Sequence, residues 1–249
     1  MRVDELTKMY ELEDTYWWFV ARRRLVRALV QKYGSPAPRI LDVGCGTGGT
    51  LDALRGLGEL LGADISEDAL AFCRQRGHEH LQCCPAERLG FEDATFDVAV
   101  CCDVLEHLDN DALAFAEVLR VLKPGGVAII TVPAYPFLWS EHDEALSHRR
   151  RYTKAELRTR LQESGARLVK LTYAVSFVFP AIVAIRLLAR LRLRRMGTPH
   201  TQVGRLPRWA NRLLLALSEV ENRLVLSCGC PCGTSLVAVA AKPVPPGDG

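Results

Sequence analysis

The chain has 249 residues, 49% of them hydrophobic, and a formal net charge of only +3. This length accommodates one large α/β domain, or one domain with a sizeable insertion. The small net charge excludes a uniformly basic nucleic-acid-binding protein, so we expect no nucleic acid as a partner. Residues 1–5 lack the apolar stretch of a secretory signal, and several of the nine cysteines fall in apolar runs, as free thiols do in a reducing compartment. We therefore expect a cytoplasmic protein.

The first predicted element is a helix over residues 4–33, in which apolar side chains recur at roughly helical spacing. Four aromatic residues, Tyr16–Phe19, stand in a row on this helix and are followed by Arg22 and Arg23. The aromatic side chains either pack the helix onto the edge of a sheet or roof a ligand pocket, with one arginine reaching an anionic group. Gly34–Pro38 ends the segment.

Strands and helices alternate regularly from Arg39 onward. This alternation predicts an α/β fold with a doubly wound, mostly parallel sheet. Lys123–Gly126 is a turn signal between the fourth helix and the next strand. Thr153 and Glu156 have the spacing of a capping box at the start of a helix that continues to about Glu163. The predicted strands cover residues 39–43, 60–63, 80–84, 96–102, 126–132 and 166–173, and the earlier helices cover 49–57, 67–76 and 110–121.

The region 175–233 breaks this alternation. Residues 171–185 carry no charge, but the apolar run is too short, and too interrupted by Pro180, to predict a membrane-spanning helix. Eight arginines and no acidic residue follow between Arg186 and Arg212. A second predicted helix over residues 206–226 carries one apolar stripe. The stripe consists of Leu206, Trp209, Leu213, Leu217, Val220 and Leu224.

These features divide the chain into a helical cap (1–38), a core (39–174), an apolar and arginine-rich helical insertion (175–233), and a final strand with a tail (234–249). An apolar segment beside a cationic one is typical of contact with an anionic membrane surface, which we expect through residues 175–226. The alternatives are that both helices pack on the domain or build a homodimer. A nucleic-acid contact is the least favoured, because aromatic residues are sparse among the arginines.

The stretch Ile40–Gly49 predicts a short buried strand that ends in a glycine loop before a helix. Glycine lets a ligand approach the bare backbone, and a helix N-terminus behind the loop presents unpaired N–H groups. At the carboxyl end of a parallel strand, such a loop makes a nucleotide-sized site. Gly44, Gly46 and Gly49 satisfy the pattern G-x-G-x-x-G, which admits a dinucleotide as well as an adenosyl group.

Two carboxylates flank the loop and bear on this choice. Asp64 ends the second strand, where a carboxylate can bind both hydroxyls of a ribose. Asp42, two residues before Gly44, would repel a pyrophosphate and favours a ligand that carries an ammonium or a sulfonium group. A solvated or capping role is the alternative for Asp42.

Five motifs occur in order along the chain: Leu41–Gly48, Asp64, Ala86–Phe91, Phe96–Leu108 and Leu122–Gly126. Their order resembles that of the class I S-adenosylmethionine-dependent methyltransferases. The resemblance covers roughly residues 39–133, with weaker similarity at 166–173. It implies a Rossmann-like sheet of seven strands, mostly parallel with the last strand antiparallel, and S-adenosyl-L-methionine as the cofactor.

The resemblance also implies which residues contact that cofactor. Asp42 would lie near the methionine moiety, and a helix-borne arginine, Arg22 or Arg23, would pair with the cofactor carboxylate. In one departure, Pro85 stands where the family often has an aspartate that binds the adenine amino group. The implied cofactor-binding residues are Asp42, Gly44, Cys45, Gly46, Asp64, Ile65, Ala86, Glu87, Asp103, Trp18 and Arg23.

A hydroxyl acceptor must lose its proton as it takes the methyl group. His107, after the fourth strand, is the candidate base because histidine titrates near neutral pH, with a structural histidine as the alternative. His142, Asp143 and His148 follow the fifth strand on a loop that should overhang the same pocket. Neither the spacing of the two loop histidines nor that of the three cysteines in 228–232 fits a compact metal site, so we expect no metal ion.

Together these features predict transfer of a methyl group from S-adenosyl-L-methionine to an oxygen, in preference to nitrogen or carbon, of a small or lipid-like acceptor. Some relatives with this set of motifs act on polyprenyl phenols, and the apolar insertion fits such an acceptor. A nicotinamide-dependent oxidoreductase and a non-catalytic, membrane-associated binding protein are the alternatives.

Overall fold

The computed structural model describes residues 3–191 and 206–245, so part of the arginine-rich stretch and the end of the tail lie outside the described residues. The strands are β1 (Arg39–Val43), β2 (Glu59–Asp64), β3 (Leu81–Cys83), β4 (Phe96–Cys102), β5 (Leu122–Pro133), β6 (Arg167–Ala174) and β7 (Ser235–Ala241). The helices are α1 (Val3–Leu12), α2 (Trp17–Tyr33), α3 (Gly49–Leu54), α4 (Glu67–Gln75), α5 (Asp111–Val121), α6 (Glu141–Ala145), α7 (Lys154–Glu163), α8 (Phe179–Leu191) and α9 (Arg208–Leu226).

The seven strands form one sheet in the order β3-β2-β1-β4-β5-β7-β6. The first five strands are parallel to their neighbours, and β7 runs antiparallel to both β5 and β6. This confirms the predicted mostly parallel sheet with an antiparallel last strand. The chain builds one half of the sheet outward from β1 and then returns to β4. The carboxyl ends of β1 and β4 therefore flank the crevice in which open α/β sheets bind ligands.

The central strands are buried on both faces, which explains their continuous apolar sequences. Val98 to Cys101 of β4 and Ile129 and Ile130 of β5 have almost no exposed surface. A parallel sheet covered by helices on both sides needs such runs, in contrast to the alternating pattern of a half-exposed strand.

The N-terminal segment is two helices, and the prediction of one continuous helix over residues 4–33 is wrong. Helix α1 ends at Leu12, and the chain turns before α2 begins at Trp17. In this turn the buried Glu13 accepts a hydrogen bond from the Thr47 hydroxyl (2.6 Å) and pairs with Arg76 (2.8 Å). Since these partners flank the glycine loop, the turn brings α1 over that loop.

One of two local signals in the sequence is confirmed as predicted. The turn predicted at Lys123–Gly126 before the next strand is instead an irregularity within β5, where the register with β4 shifts and Gly125 has a φ of 81° that favours glycine. The Thr153 hydroxyl accepts from the Glu156 N–H (3.1 Å), and the Glu156 carboxylate accepts from the Thr153 N–H (2.7 Å), which completes a capping box at α7.

Helix α9 packs on α2 through a largely polar face. Asn211 accepts from the Trp17 backbone N–H (2.8 Å), Asn222 donates to the Ala21 carbonyl (3.0 Å), and the buried Glu221 accepts from the Ser176 N–H. The predicted apolar stripe lies on the other side and is exposed, as Trp209 (71%) and Leu213 (52%) show. The packing of α9 therefore leaves its apolar stripe uncovered within the described residues. Across residues 3–191 and 206–245, no helix has the length and apolar character needed to cross a bilayer.

Candidate functional site

A cavity of about 720 Å³ opens at the carboxyl ends of the parallel strands, under α1 and α2. Two groups of residues line it. The glycine-loop wall contains Gly44, Cys45, Gly46, Asp64, Ile65, Ala86 and Glu87, and the histidine wall contains Glu106, His107, His142 and His148. Its volume falls in the range of ligand sites, and most of the predicted site residues border it.

The glycine-loop wall is shaped by backbone conformations that only glycine adopts without strain. Gly44 and Gly46 have φ values of 70° and 54°, and a Cβ at Gly44 would lie 2.3 Å from a Val104 methyl carbon. The Asp64 carboxylate closes the loop by accepting from the Gly46 N–H (2.9 Å) and the Ser66 N–H (2.9 Å). This carboxylate lines the cavity at the end of β2, where it can bind a diol.

Asp42 lies behind this wall and does not border the cavity. Its side chain is 1% exposed, and Oδ2 has no hydrogen-bond partner among the described residues. Burial raises the pKa of Asp42 to about 8; Arg22 opposes the rise, while Asp64 and Glu13 add to it. A cation placed in the cavity would favour the ionised carboxylate and would be attracted by it in turn.

Helix α2 roofs the cavity and decides between the two candidate arginines. Trp18 borders the cavity, the Arg22 guanidinium stacks 4.5 Å from its ring centroid, and Arg22 forms an ion pair with Asp103. Arg23 points away from the cavity into the turn between α1 and α2, where it pairs with Asp14 (3.0 Å) and donates to the Glu13 carbonyl. The structure therefore brings Arg22 to the site and corrects the assignment of Arg23 to it.

The histidine wall joins two loops. His107 ends a short 3-10 turn after β4, and His148 lies on the loop after α6, yet their ring centroids are 4.8 Å apart. His148 Nδ1 is 3.0 Å from Asp143 Oδ1. Arg151 also pairs with Asp143 (2.7 Å). Asp143 is completely buried and does not border the cavity, so the structure makes it a partner of His148.

Burial determines the charge of this wall. It lowers the pKa of His107 to about 4, with a contribution from His148, and it lowers the pKa of His142 to about 4 as well. Both imidazoles are therefore neutral at pH 7. Burial, together with Asp103, raises the pKa of the Glu106 carboxyl well above its usual range.

Sequence reasoning did not select Glu106 or give His148 a catalytic role. Glu106 is 1% exposed, and neither of its oxygens has a hydrogen-bond partner in another described residue. Glu106 directly precedes His107 after the predicted fourth strand, and this position could have marked it as a site residue. The sequence placed His148 on a loop over the same pocket, but its spacing does not predict contact with His107.

One side of the cavity is apolar and comes from α8 and the residue before it. Val178, Ile182 and Ile185 border the cavity there, as does Arg186. The cavity thus offers polar groups at the strand ends and an apolar side next to them.

Comparisons with known proteins agree with this geometry. The profile of the family described as a methyltransferase domain matches residues 41–130. A protein of Mycolicibacterium smegmatis, named as a probable S-adenosylmethionine-dependent methyltransferase, is 30% identical over 61% of this chain and 60% of its own length. A ubiquinone biosynthesis O-methyltransferase of Thiobacillus denitrificans is 37% identical over 35% of this chain and 41% of its own length.

The solved structure of a SAM-dependent methyltransferase of Thermotoga maritima covers 96% of each chain with a TM-score of 0.61 and 18% identity, which shows a shared fold. The chain spans about half the length of the curated relatives it matches. The profile match begins in β1 and includes the glycine loop, Asp64 and the β4 end. These matches favour an adenosyl over a nicotinamide cofactor: residues 41–130 match a methyltransferase domain, and the chain is similar to proteins that are named as S-adenosylmethionine-dependent methyltransferases.

Proposed function

We propose that the protein transfers the methyl group of S-adenosyl-L-methionine to a hydroxyl oxygen of a small, lipid-like acceptor. One observation carries this proposal: the glycine-loop wall and the histidine wall border the same cavity. In the reaction the S–C bond breaks, an O–C bond forms, the sulfonium becomes a neutral thioether and the hydroxyl proton leaves. The enzyme must align oxygen, carbon and sulfur and exclude water.

The glycine-loop wall is suited to the cofactor. Asp64 would bind the ribose hydroxyls, and the segment at Ala86 and Glu87 would bind the adenine. The buried Asp42 would be held ionised by the positive charge of the cofactor. Arg22, beside Trp18, would meet the methionine carboxylate, since a guanidinium binds a carboxylate through charge-assisted hydrogen bonds.

The histidine wall and α8 are suited to the acceptor. A hydroxyl group would face the neutral imidazoles of His107 and His142, and an apolar tail would lie along Ile182 and Ile185. A phenol with an apolar chain has both features. The relative named for O-methylation in ubiquinone biosynthesis is in keeping with an oxygen acceptor of this kind.

We also propose that the protein works at the surface of an anionic membrane, on its cytoplasmic face. The exposed stripe of α9 is accompanied by exposed arginines, Arg208, Arg212 and Arg223, and the exposed Glu219 on this helix is paired with Arg24. An apolar stripe beside arginines is typical of interfacial helices. Two copies docked through this face would bring their arginines together, so charge favours lipid over a homodimer.

The test is transfer of labelled methyl from S-adenosyl-L-methionine into a cell extract that is then separated into lipid and aqueous phases. We expect label in the lipid phase, in a product whose methyl group is released by ether cleavage. Label in the aqueous phase alone would contradict a lipid-like acceptor, and absence of any enzyme-dependent label would contradict the activity.

A further inference from the structure

Glu106 is a buried acidic residue whose side chain makes no hydrogen bond to another described residue. It is among the residues that border the cavity and is 1% exposed, and its two carboxylate oxygens are buried without a hydrogen-bond partner in another described residue. Buried carboxylates are ordinarily paired or bound to a metal. The neighbouring guanidinium groups are engaged elsewhere, Arg22 with Asp103 and Arg151 with Asp143. Among the described residues, the Glu106 carboxylate therefore has no cationic side chain bound to it, and an external cation would supply the missing partner.

Two imidazoles lie near the Glu106 carboxylate. One ligand atom each from Glu106, His107 and His148 lie within 4.8 Å of one another. In the described ranges no other set of three histidine, cysteine or acidic side chains is grouped in this way. Ligands on opposite sides of a zinc ion lie at most about 4.4 Å apart, so small side-chain rotations bring the three atoms into bonding range. Two imidazoles and one carboxylate suit divalent transition metals.

Asp143 supplies the support that such a site needs. Its Oδ1 atom is 3.0 Å from His148 Nδ1, which leaves Nε2 of His148 as the ligand atom. Arg151 (2.7 Å) and the Ser140 backbone N–H (2.9 Å) hold the carboxylate in place. Metal-binding histidines commonly have a carboxylate behind the second ring nitrogen, which fixes the ring and its tautomer.

We propose that Glu106, His107 and His148 bind one divalent transition-metal ion in the histidine wall of the cavity. This proposal replaces the expectation, drawn from spacing alone, that the chain binds no metal. Its role rests on the proposed function: a metal held by these three residues would act as a Lewis acid and ease the loss of the proton from an acceptor hydroxyl. That proton would pass to His142, which borders the same cavity outside this trio.

The test is titration of the chelator-treated full chain with Mn²⁺, followed by the loss of the free-ion electron paramagnetic resonance signal. Mn²⁺ is preferred to Zn²⁺ as the probe because the exposed thiols of Cys83 and Cys228 compete for zinc. We expect one ion per chain, and at least a tenfold weaker affinity for Glu106→Gln and for His148→Ala. The matched control is His80→Ala, an exposed histidine outside the trio, which should bind Mn²⁺ like the unaltered chain.

Asp143→Asn is a second test, in which all three proposed ligands are retained. We expect it to lower the Mn²⁺ affinity about tenfold, because it acts only through His148. Circular dichroism and S-adenosyl-L-methionine binding verify the fold of each variant. Absence of Mn²⁺ binding by the unaltered chain, or equal affinity in the trio variants and the His80→Ala control, would overturn the proposal.

These outcomes are separable from those for the proposed function, since Mn²⁺ binding is measured without cofactor or acceptor. A chain that binds Mn²⁺ through this trio and transfers no methyl group contradicts only the activity. A chain that transfers the methyl group and binds no Mn²⁺ contradicts only the metal site.

Discussion

His107 and His148 meet edge to face in the cavity, with ring centroids 4.8 Å apart and ring planes inclined by 81°. They reach this position from different loops, one after β4 and one after α6. Behind His148 stands the buried Asp143, and beside His107 stands the buried Glu106. The histidine wall of the cavity is therefore assembled by tertiary contacts between two loops.

Asp42 should make cofactor binding depend on pH. The pKa of Asp42 is raised to about 8 in the free protein, so the group is mostly protonated at pH 7. A cationic cofactor favours the ionised form, so binding should release a proton, and affinity should rise from pH 6 to pH 8. Calorimetry in buffers of different ionisation enthalpy measures this release. Asp42→Asn should bind more weakly and with a flat pH dependence; an equally steep profile in this variant would assign the proton to another group.

Asp42 should also lower the stability of the cofactor-free protein as the pH rises. Because its folded-state pKa lies above the value of 3.8 for an unperturbed aspartate, the folded chain holds a proton that the unfolded chain has lost. The free energy of unfolding should therefore fall between about pH 4 and pH 8 from this group. Thermal unfolding across this window should show less decline for Asp42→Asn than for the unaltered chain.

His107 should make the free energy of unfolding fall as the pH is lowered. Its pKa is lowered to about 4, so between about pH 6.5 and pH 4 the unfolded chain binds a proton that the folded chain does not. Stability from this group is present above pH 6.5 and is lost as pH falls through that window. His107→Gln should reduce the acid sensitivity measured by chemical unfolding at pH 4.5 and pH 7; an unchanged difference would contradict the buried neutral imidazole.

Arg22 and Arg23 are neighbours with separable roles. Arg22→Ala should weaken S-adenosyl-L-methionine binding about tenfold or more, since a charge-assisted hydrogen bond contributes about 1.5–3 kcal/mol. Arg23→Ala should leave binding nearer normal and lower the melting temperature, because it removes contacts to Asp14 and to the turn between α1 and α2. Binding isotherms and thermal unfolding of both variants would expose a reversed assignment.

The effect of adding a Cβ at Gly44 can be compared with the same change at Gly56, which has a similar φ but no neighbouring atoms. Gly44 (φ 70°) and Gly56 (φ 78°) both occupy the left-handed region, but a Cβ at Gly56 meets no atom within 4 Å. Gly56→Ala should cost about 1 kcal/mol of stability and retain cofactor binding. Gly44→Ala should in addition displace Val104 and the loop, and abolish detectable binding. Similar binding by the two variants would mean that the loop tolerates the clash.

The exposed stripe of α9 should bind anionic vesicles. Trp209→Ser and Leu213→Ser should each weaken co-sedimentation with phosphatidylglycerol-containing vesicles by about tenfold, because each removes a side chain worth about 1.5–3 kcal/mol when buried. Val244→Ser, which alters an equally exposed apolar residue elsewhere, is the matched control. Binding should weaken with added salt. A stable lipid-free dimer in sedimentation experiments, lost in Trp209→Ser, would identify a second copy as the occupant instead.

The sheet and the glycine-loop wall could be predicted from the sequence, because both depend on short-range patterns. The apolar runs of β1 and β4 are each a few residues long, and Asp42 lies two residues before the glycine loop. Asp64 is recognised because it ends the next predicted strand. Such spacing is fixed by backbone geometry and is readable without contacts.

Tertiary structure decided the features that depend on distant packing. The break before Trp17 follows from the pairing of Glu13 with Thr47 and Arg76, and it selects Arg22 for the cavity. The polar face of α9 packs against α2 because Asn211 and Asn222 form hydrogen bonds with backbone groups of α2. The sequence placed His148 on a loop over the same pocket, but its proximity to Glu106 and His107 depends on how two loops pack over the same strand ends.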